Sequence, residues 1–251
     1  MIDTHAHINM LENPELGIME ARSAGVEEII IPAAVESDFE AILDLCHRFN
    51  KVYCTLGVHP ENCVEFNNNT AKKIIELSKD KKVVGIGEIG LDYHYSKDNK
   101  EIQKNCFINQ IEIAKMLDLP IVVHDREAHL DTFNILKENN CKKVLLHCFS
   151  ASTEFMKQCT KEGYKIAIGG VVTFKNASNI KQVALDIDLS DLMLETDCPY
   201  LTPHPFRGLE NSPKYLGFTL KEIAKIKNIP YDSIENITNK NAREFFNLEG
   251  E

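Results

Sequence analysis

Short β-type runs and helical segments alternate along this chain eight times, and few folds accommodate that order. Runs of strand character lie at 1–6, 27–33, 52–57, 83–88, 120–124, 143–148, 164–168 and 191–196. Between them the spacing predicts helices near 13–24, 37–49, 70–80, 98–117, 126–139, 153–162 and 177–186. A last helical stretch covers about 213–228, with two shorter ones after it. In 101–117, Ile102, Cys106, Ile111, Ala114 and Leu117 recur close to the helical period. Pro120 opens its run, where a missing N–H costs little. Eight strands, each followed by a helix, predict a (β/α)₈ barrel of TIM type, a single domain over residues 1–251 with its site at the C-terminal face of the strands. The doubly wound open sheet shares the alternation. Its glycine-rich dinucleotide turn is missing, however, because the first run ends in His5-Ala6-His7. No internal repeat, low-complexity tract or linker divides the chain.

Composition removes several function classes. Apolar residues make up 43% and charged residues 26%, ordinary values for a water-soluble globular protein. No apolar stretch approaches the roughly 20 residues of a membrane span. The first residues form no basic-then-apolar leader, so the protein is expected in the cytoplasm. Eight cysteines contain no C-x-x-C pair and lie mostly in apolar or helical contexts, which predicts reduced, partly buried thiols. The net charge of −10 argues against a broad positive face for gripping duplex DNA. The lysines of 79–82 surround Asp80 and read as a solvated turn. An anionic substrate must then be held locally, by metals and a few cations.

Five of the strand-like runs end in residue types that bind metals. His5 and His7 close the first, Glu88 the fourth, His124 the fifth, His147 the sixth and Asp197 the eighth. Parallel strands of an α/β fold bring their C-terminal ends together, so six such residues at five strand ends predict a metal site. His5 and His7 are two apart, and a pleated strand would turn both to one side. Four imidazoles with two carboxylates favour zinc, manganese or a similar ion over an all-oxygen magnesium site. Asp197 has a second expected task, accepting the proton of an attacking water. Glu195 falls on the same face as Asp197. Either it supports a ligand from behind, or the strand twists out of register there.

These motifs occur in a characteristic order. They are Asp3-Thr4-His5-Ala6-His7, Gly57-Val58-His59-Pro60, Gly87-Glu88-Ile89-Gly90-Leu91-Asp92-Tyr93, Val123-His124-Asp125-Arg126-Glu127-Ala128, Leu146-His147-Cys148-Phe149-Ser150 and Glu195-Thr196-Asp197-Cys198-Pro199-Tyr200-Leu201. As a set they resemble the TatD-type metal-dependent deoxyribonucleases, among the amidohydrolase-like metal hydrolases, over essentially the whole chain. The resemblance implies a binuclear centre of two divalent ions (zinc, manganese or magnesium) with Glu88 bridging them. His5, His7 and Asp197 would complete one shell, and His124 and His147 the other. It implies hydrolysis of DNA phosphodiesters by a metal-activated hydroxide, with Glu88 and Asp197 as the catalytic carboxylates. The family's basic segment departs from pattern here, as Arg207-Gly208-Leu209-Glu210-Asn211.

Weaker signals surround the site. His59, Arg126 and Arg207 are candidate substrate contacts, with Arg126 expected to open a helix. Asp92 is expected to order its loop or a ligand histidine. His47, His94, His129 and His204 lack a strand-end position and read as surface or packing residues. The acidic balance fits trimming of single strands or ends, and no obligate protein partner is indicated. Two rivals stay open at this point: a two-metal hydrolase of another ester, amide or lactone, and a metal-bearing barrel that acts as a binding or assembly partner.

Overall fold

A computed structural model describes residues 1–95 and 98–248. Eight strands form one sheet in chain order: β1 (Ile2–Asp3), β2 (Glu28–Pro32), β3 (Val52–Leu56), β4 (Val83–Asp92), β5 (Ile121–Arg126), β6 (Val144–Leu146), β7 (Lys165–Ile168) and β8 (Leu192–Leu194). The pairings β1–β2, β3–β4, β4–β5, β5–β6 and β7–β8 are parallel. The α-helices are α1 (Pro14–Ser23), α2 (Phe39–Arg48), α3 (Asn68–Leu77), α4 (Lys100–Leu117), α5 (His129–Glu138), α6 (Thr153–Lys161), α7 (Ser178–Asp186), α8 (Leu216–Lys227) and α9 (Tyr231–Phe246). The chain divides into two compact units, one of residues 1–31 with 147–251 and one of residues 32–146. Among the described residues no helix is long and apolar enough to cross a membrane.

In the first unit the chain beyond β1 meets β8, since the Thr4 N–H and hydroxyl both donate to the Leu194 carbonyl, at 3.1 and 3.0 Å. Helix α9 fixes the opposite ends of these strands. The Asn239 side chain accepts the Ile2 N–H at 2.9 Å, and Asn241 donates to the carbonyls of Leu189 and Leu192 at 2.6 and 2.8 Å. Arg243 grips the buried Glu28 through two nitrogens, at 3.0 and 2.6 Å. This stretch is one sixteen-residue helix where two shorter ones were expected. Its asparagines lower intrinsic helix propensity. Here Asn239 and Asn241 are occupied with strand and loop backbone, and tertiary bonds override the local preference.

In the second unit β4 runs to Asp92, four residues beyond its expected end, and is buried throughout. Its register against β5 shifts between Ile86 and Ile89, at Glu88. Two glycines permit this. A Cβ at Gly87 would lie 2.8 Å from Val122 Cβ. Gly90 has φ +142°, and a Cβ there would stand 2.0 Å from the His124 carbonyl oxygen. Such close backbone approach at an irregular ladder is what glycine allows. Arg126 ends β5 and does not open a helix. Glu127 turns the chain with φ +56°, so α5 begins only at His129.

Candidate metal centre

The first unit gathers five of the relevant side chains. Strand β1 stops at Asp3, so His5 and His7 lie in the loop after it, and a strand pleat does not orient them. Backbone bonds to the segment after β8 do this instead. His7 N–H donates to the Cys198 carbonyl at 2.9 Å, and Asp197 N–H to the His5 carbonyl at 2.9 Å. The buried carboxylate of Asp3 ties the two segments, accepting Thr196 N–H at 3.0 Å, the Thr196 hydroxyl at 2.6 Å and His5 N–H at 3.3 Å. Burial pushes the Asp3 carboxyl up to about 7, against the lowering effect of those bonds. The result brings His5 Nε2 and His7 Nε2 within 3.2 Å of each other. Asp197 Oδ1 lies 3.9 and 3.7 Å from the same two nitrogens. Asp197 itself has φ +54°, which turns the chain sharply after β8.

His147, one residue past β6, stacks on His5 with ring centroids 3.9 Å apart and planes inclined by 12°. Its Nδ1 lies 3.8 Å from Glu195 Oε1, which also accepts the Cys148 N–H at 2.6 Å. The donor atoms of His5, His147 and Glu195 all fall within 4.8 Å of one another. Glu195 thus faces the histidines.

The second unit holds a matching group. Glu88, His124 and His59 also place their donor atoms within 4.8 Å. His124 Nδ1 lies 2.8 Å from Glu88 Oε1, and its Nε2 lies 2.9 Å from Asp92 Oδ2. Burial lowers the proton affinity of His124, but the bonds to Asp92 and Glu88 outweigh it and raise its pKa to about 10. Asp92, whose carboxylate also accepts the backbone N–H groups of His94 and Tyr95 at 2.8 and 3.1 Å, orders its loop and a histidine, as its position predicts. Burial pushes the Asp92 carboxyl up, but His124 and these bonds bring it down to about 2. His59 follows β3. Its Nδ1 accepts the Glu61 N–H at 3.2 Å, and its Nε2 lies 3.5 Å from Glu88 Oε1.

The donor chemistry fits divalent ions. Both groups are largely buried and combine imidazole with carboxylate, a set that suits zinc or manganese. His124 has a carboxylate on each ring nitrogen, which matches a ligand held by a second acid from behind.

The two expected arginine contacts stack on aromatic rings. The Arg126 guanidinium lies over Tyr95 at 4.7 Å, and that of Arg207 over Phe174 at 3.8 Å. His94 and His129 pair with Glu127 and Asp125, each at 2.7 Å. Sequence reasoning missed Asp3 as the tether. The available signal was a carboxylate inside an apolar run, two residues ahead of a histidine pair.

An eight-stranded parallel sheet in chain order, with buried imidazole–carboxylate groups at the C-terminal ends of its strands, defines the class: a (β/α)₈ metal-dependent hydrolase. The comparisons with known proteins agree. The family described as TatD related DNase matches residues 2–247, and this chain belongs to it. The metal-dependent hydrolase YabD of Bacillus subtilis (strain 168) is 39% identical over 253 residues, covering 99% of each chain. YcfH of Escherichia coli (strain K12), also a metal-dependent hydrolase, is 31% identical over 258 residues, covering 99% of this chain and 96% of its own. Both relatives are themselves uncharacterized. The crystal structure of YjjV, a TatD homologue from Escherichia coli K12, matches with a TM-score of 0.94 at 29% identity, covering 99% of this chain and 98% of that one.

Proposed function

We propose that this hydrolase cleaves DNA phosphodiester bonds, taking single strands or strand ends, with two divalent ions held by His5, His7, Glu88, His124, His147 and Asp197. The observation that carries this reading is the pair of buried imidazole–carboxylate groups, one in each unit, at strand ends. The family description supports DNA as the substrate class. Glu88 as the carboxylate shared by both ions belongs to the same proposal. Bound ions would polarise a phosphoryl oxygen and acidify the attacking water. Asp197 accepts that water's proton, since it is the carboxylate of its group with a side chain partly open to solvent, at 13% exposure. His59 is suited to substrate contact. A neutral imidazole has one donor and one acceptor, and its Nδ1 already accepts the Glu61 N–H. Its Nε2 then carries the proton and lies 3.5 Å from Glu88 Oε1, beside the group where a metal-held phosphate would sit. Arg126 and Arg207 contribute phosphate contacts, each guanidinium plane set by the ring beneath it.

The test is turnover of a panel of single-stranded DNA, duplex DNA, RNA and simple ester and amide substrates, with and without added metal. Metal-dependent turnover of single-stranded DNA above all others is expected. Faster turnover of an ester or amide would move the reading to carbonyl chemistry.

A further inference from the structure

Helix α4 reaches the second group twice without placing a charge there. Gln103 and Gln110 lie two turns apart on one face, and both are fully buried at 0% exposure. Each spends its amide on the backbone of a single residue. Gln110 Oε1 accepts the Val58 N–H at 2.7 Å, and its Nε2 donates to the Val58 carbonyl at 3.0 Å. Gln103 Oε1 accepts the Asp92 N–H at 2.8 Å, and its Nε2 donates to the Asp92 carbonyl at 2.9 Å. The amide nitrogens also reach Cys106 Sγ at 3.3 Å and Asn99 Oδ1 at 2.8 Å.

The two clamped residues matter to the site. Val58 precedes His59, and Asp92 carries the carboxylate on His124 Nε2. Strand β3 pairs with β4 only as far as Leu56 and Ile86, so on that side Asp92 lies beyond the ladder. A glutamine amide that takes both the N–H and the C=O of one residue replaces the missing strand neighbour. Packing a helix on a sheet requires only apolar side chains. Burying an amide costs about 1–3 kcal/mol unless its bonds are made.

We propose that Gln103 and Gln110 are positioning residues, and that α4 is a rigid bar setting the orientation of His124, through Asp92, and the placement of His59. This rests on the reading of His124 as a metal ligand and His59 as a phosphate contact.

The experiment uses full-length, metal-stripped protein. Cobalt(II) is titrated into wild type, Gln103→Met, Gln110→Met, His124→Ala and Ile223→Ala, following visible absorption. Ile223 is a fully buried isoleucine of α8, and its truncation leaves a cavity that controls for stability loss alone. The Michaelis constant for a short single-stranded DNA is then measured at saturating metal. Gln103→Met is expected to weaken one cobalt site roughly 10- to 100-fold and alter its spectrum. Gln110→Met is expected to leave cobalt affinity within about twofold, well short of the loss seen when a ligand's support is removed, and to raise the Michaelis constant more than it lowers kcat. Wild-type affinity and Michaelis constant in both variants would overturn the proposal. So would losses no larger than those of Ile223→Ala at equal loss of unfolding midpoint. Should a methionine variant not fold, the isosteric Gln103→Glu and Gln110→Glu carry the same test. If His124→Ala binds cobalt as wild type does, the metal-ligand reading itself fails, and the positioning role with it.

Discussion

Asp197 carries the sharpest prediction at the level of single residues. Its Oδ1 converges on the Nε2 atoms of His5 and His7. Asp197→Asn keeps the volume but removes the charge and the proton affinity. Turnover should fall by about 10²- to 10⁴-fold, while circular dichroism and the unfolding midpoint stay close to wild type. Near-normal turnover at saturating metal would place the base elsewhere. His124 gives a second prediction. In metal-free protein its pKa is raised to about 10 by Asp92 and Glu88, against the effect of burial. The stability it contributes is complete below its ordinary value of about 6.5 and is lost as pH rises through about 10. A metal ion must displace that proton, so affinity at this site should rise about tenfold per pH unit between pH 7 and 9. Isothermal titration at three pH values measures it, and a flat profile would show that His124 is not a ligand.

At the level of elements, β4 shows what the sequence reveals and what it hides. The alternation of runs was enough to place all eight strands in order; Glu88 and His124 stand inside the C-terminal halves of β4 and β5, and His5, His7, His147 and Asp197 lie within four residues past the ends of β1, β6 and β8. The extent of β4 was hidden because the apolar run stops at Glu88 and Asp92 reads as part of a loop, whereas in the fold Gly87 and Gly90 permit close approach to β5 and the strand continues. Arg126 was misplaced for a related reason. The left-handed turn at Glu127 delays α5, and no local signal marks a glutamate as left-handed. The pairing of His147 with Glu195, and the clamps from α4, depend on long-range contacts that no spacing rule reports. Gly90→Ala tests the account of β4. The new Cβ would collide with the His124 carbonyl at a backbone angle that alanine avoids. A loss of about 3 kcal/mol or more is expected in urea unfolding. A loss below 1 kcal/mol, the scale of an ordinary surface change, would mean that β4 can shift freely.

For the whole molecule, the net charge of −10 sets the mode of substrate grip. Among the described residues Arg126 ends β5 and Arg207 follows β8, and a grip that rests chiefly on these two should make few phosphate contacts. Removing either as Ala should raise the Michaelis constant for DNA far more than it affects a small neutral ester. The salt dependence of DNA affinity should correspond to two or three contacts, at a slope of about 0.7 per contact for single strands. A slope of six or more contacts would reveal an extended basic track. The central claim is that divalent ions bind where the imidazoles and carboxylates gather at the strand ends. Anomalous scattering from crystals loaded with zinc or manganese tests it most directly. Ions bonded to His5, His7 and Asp197 and to Glu88 and His124 are the predicted result. Strong peaks elsewhere, with these side chains splayed apart, would contradict it.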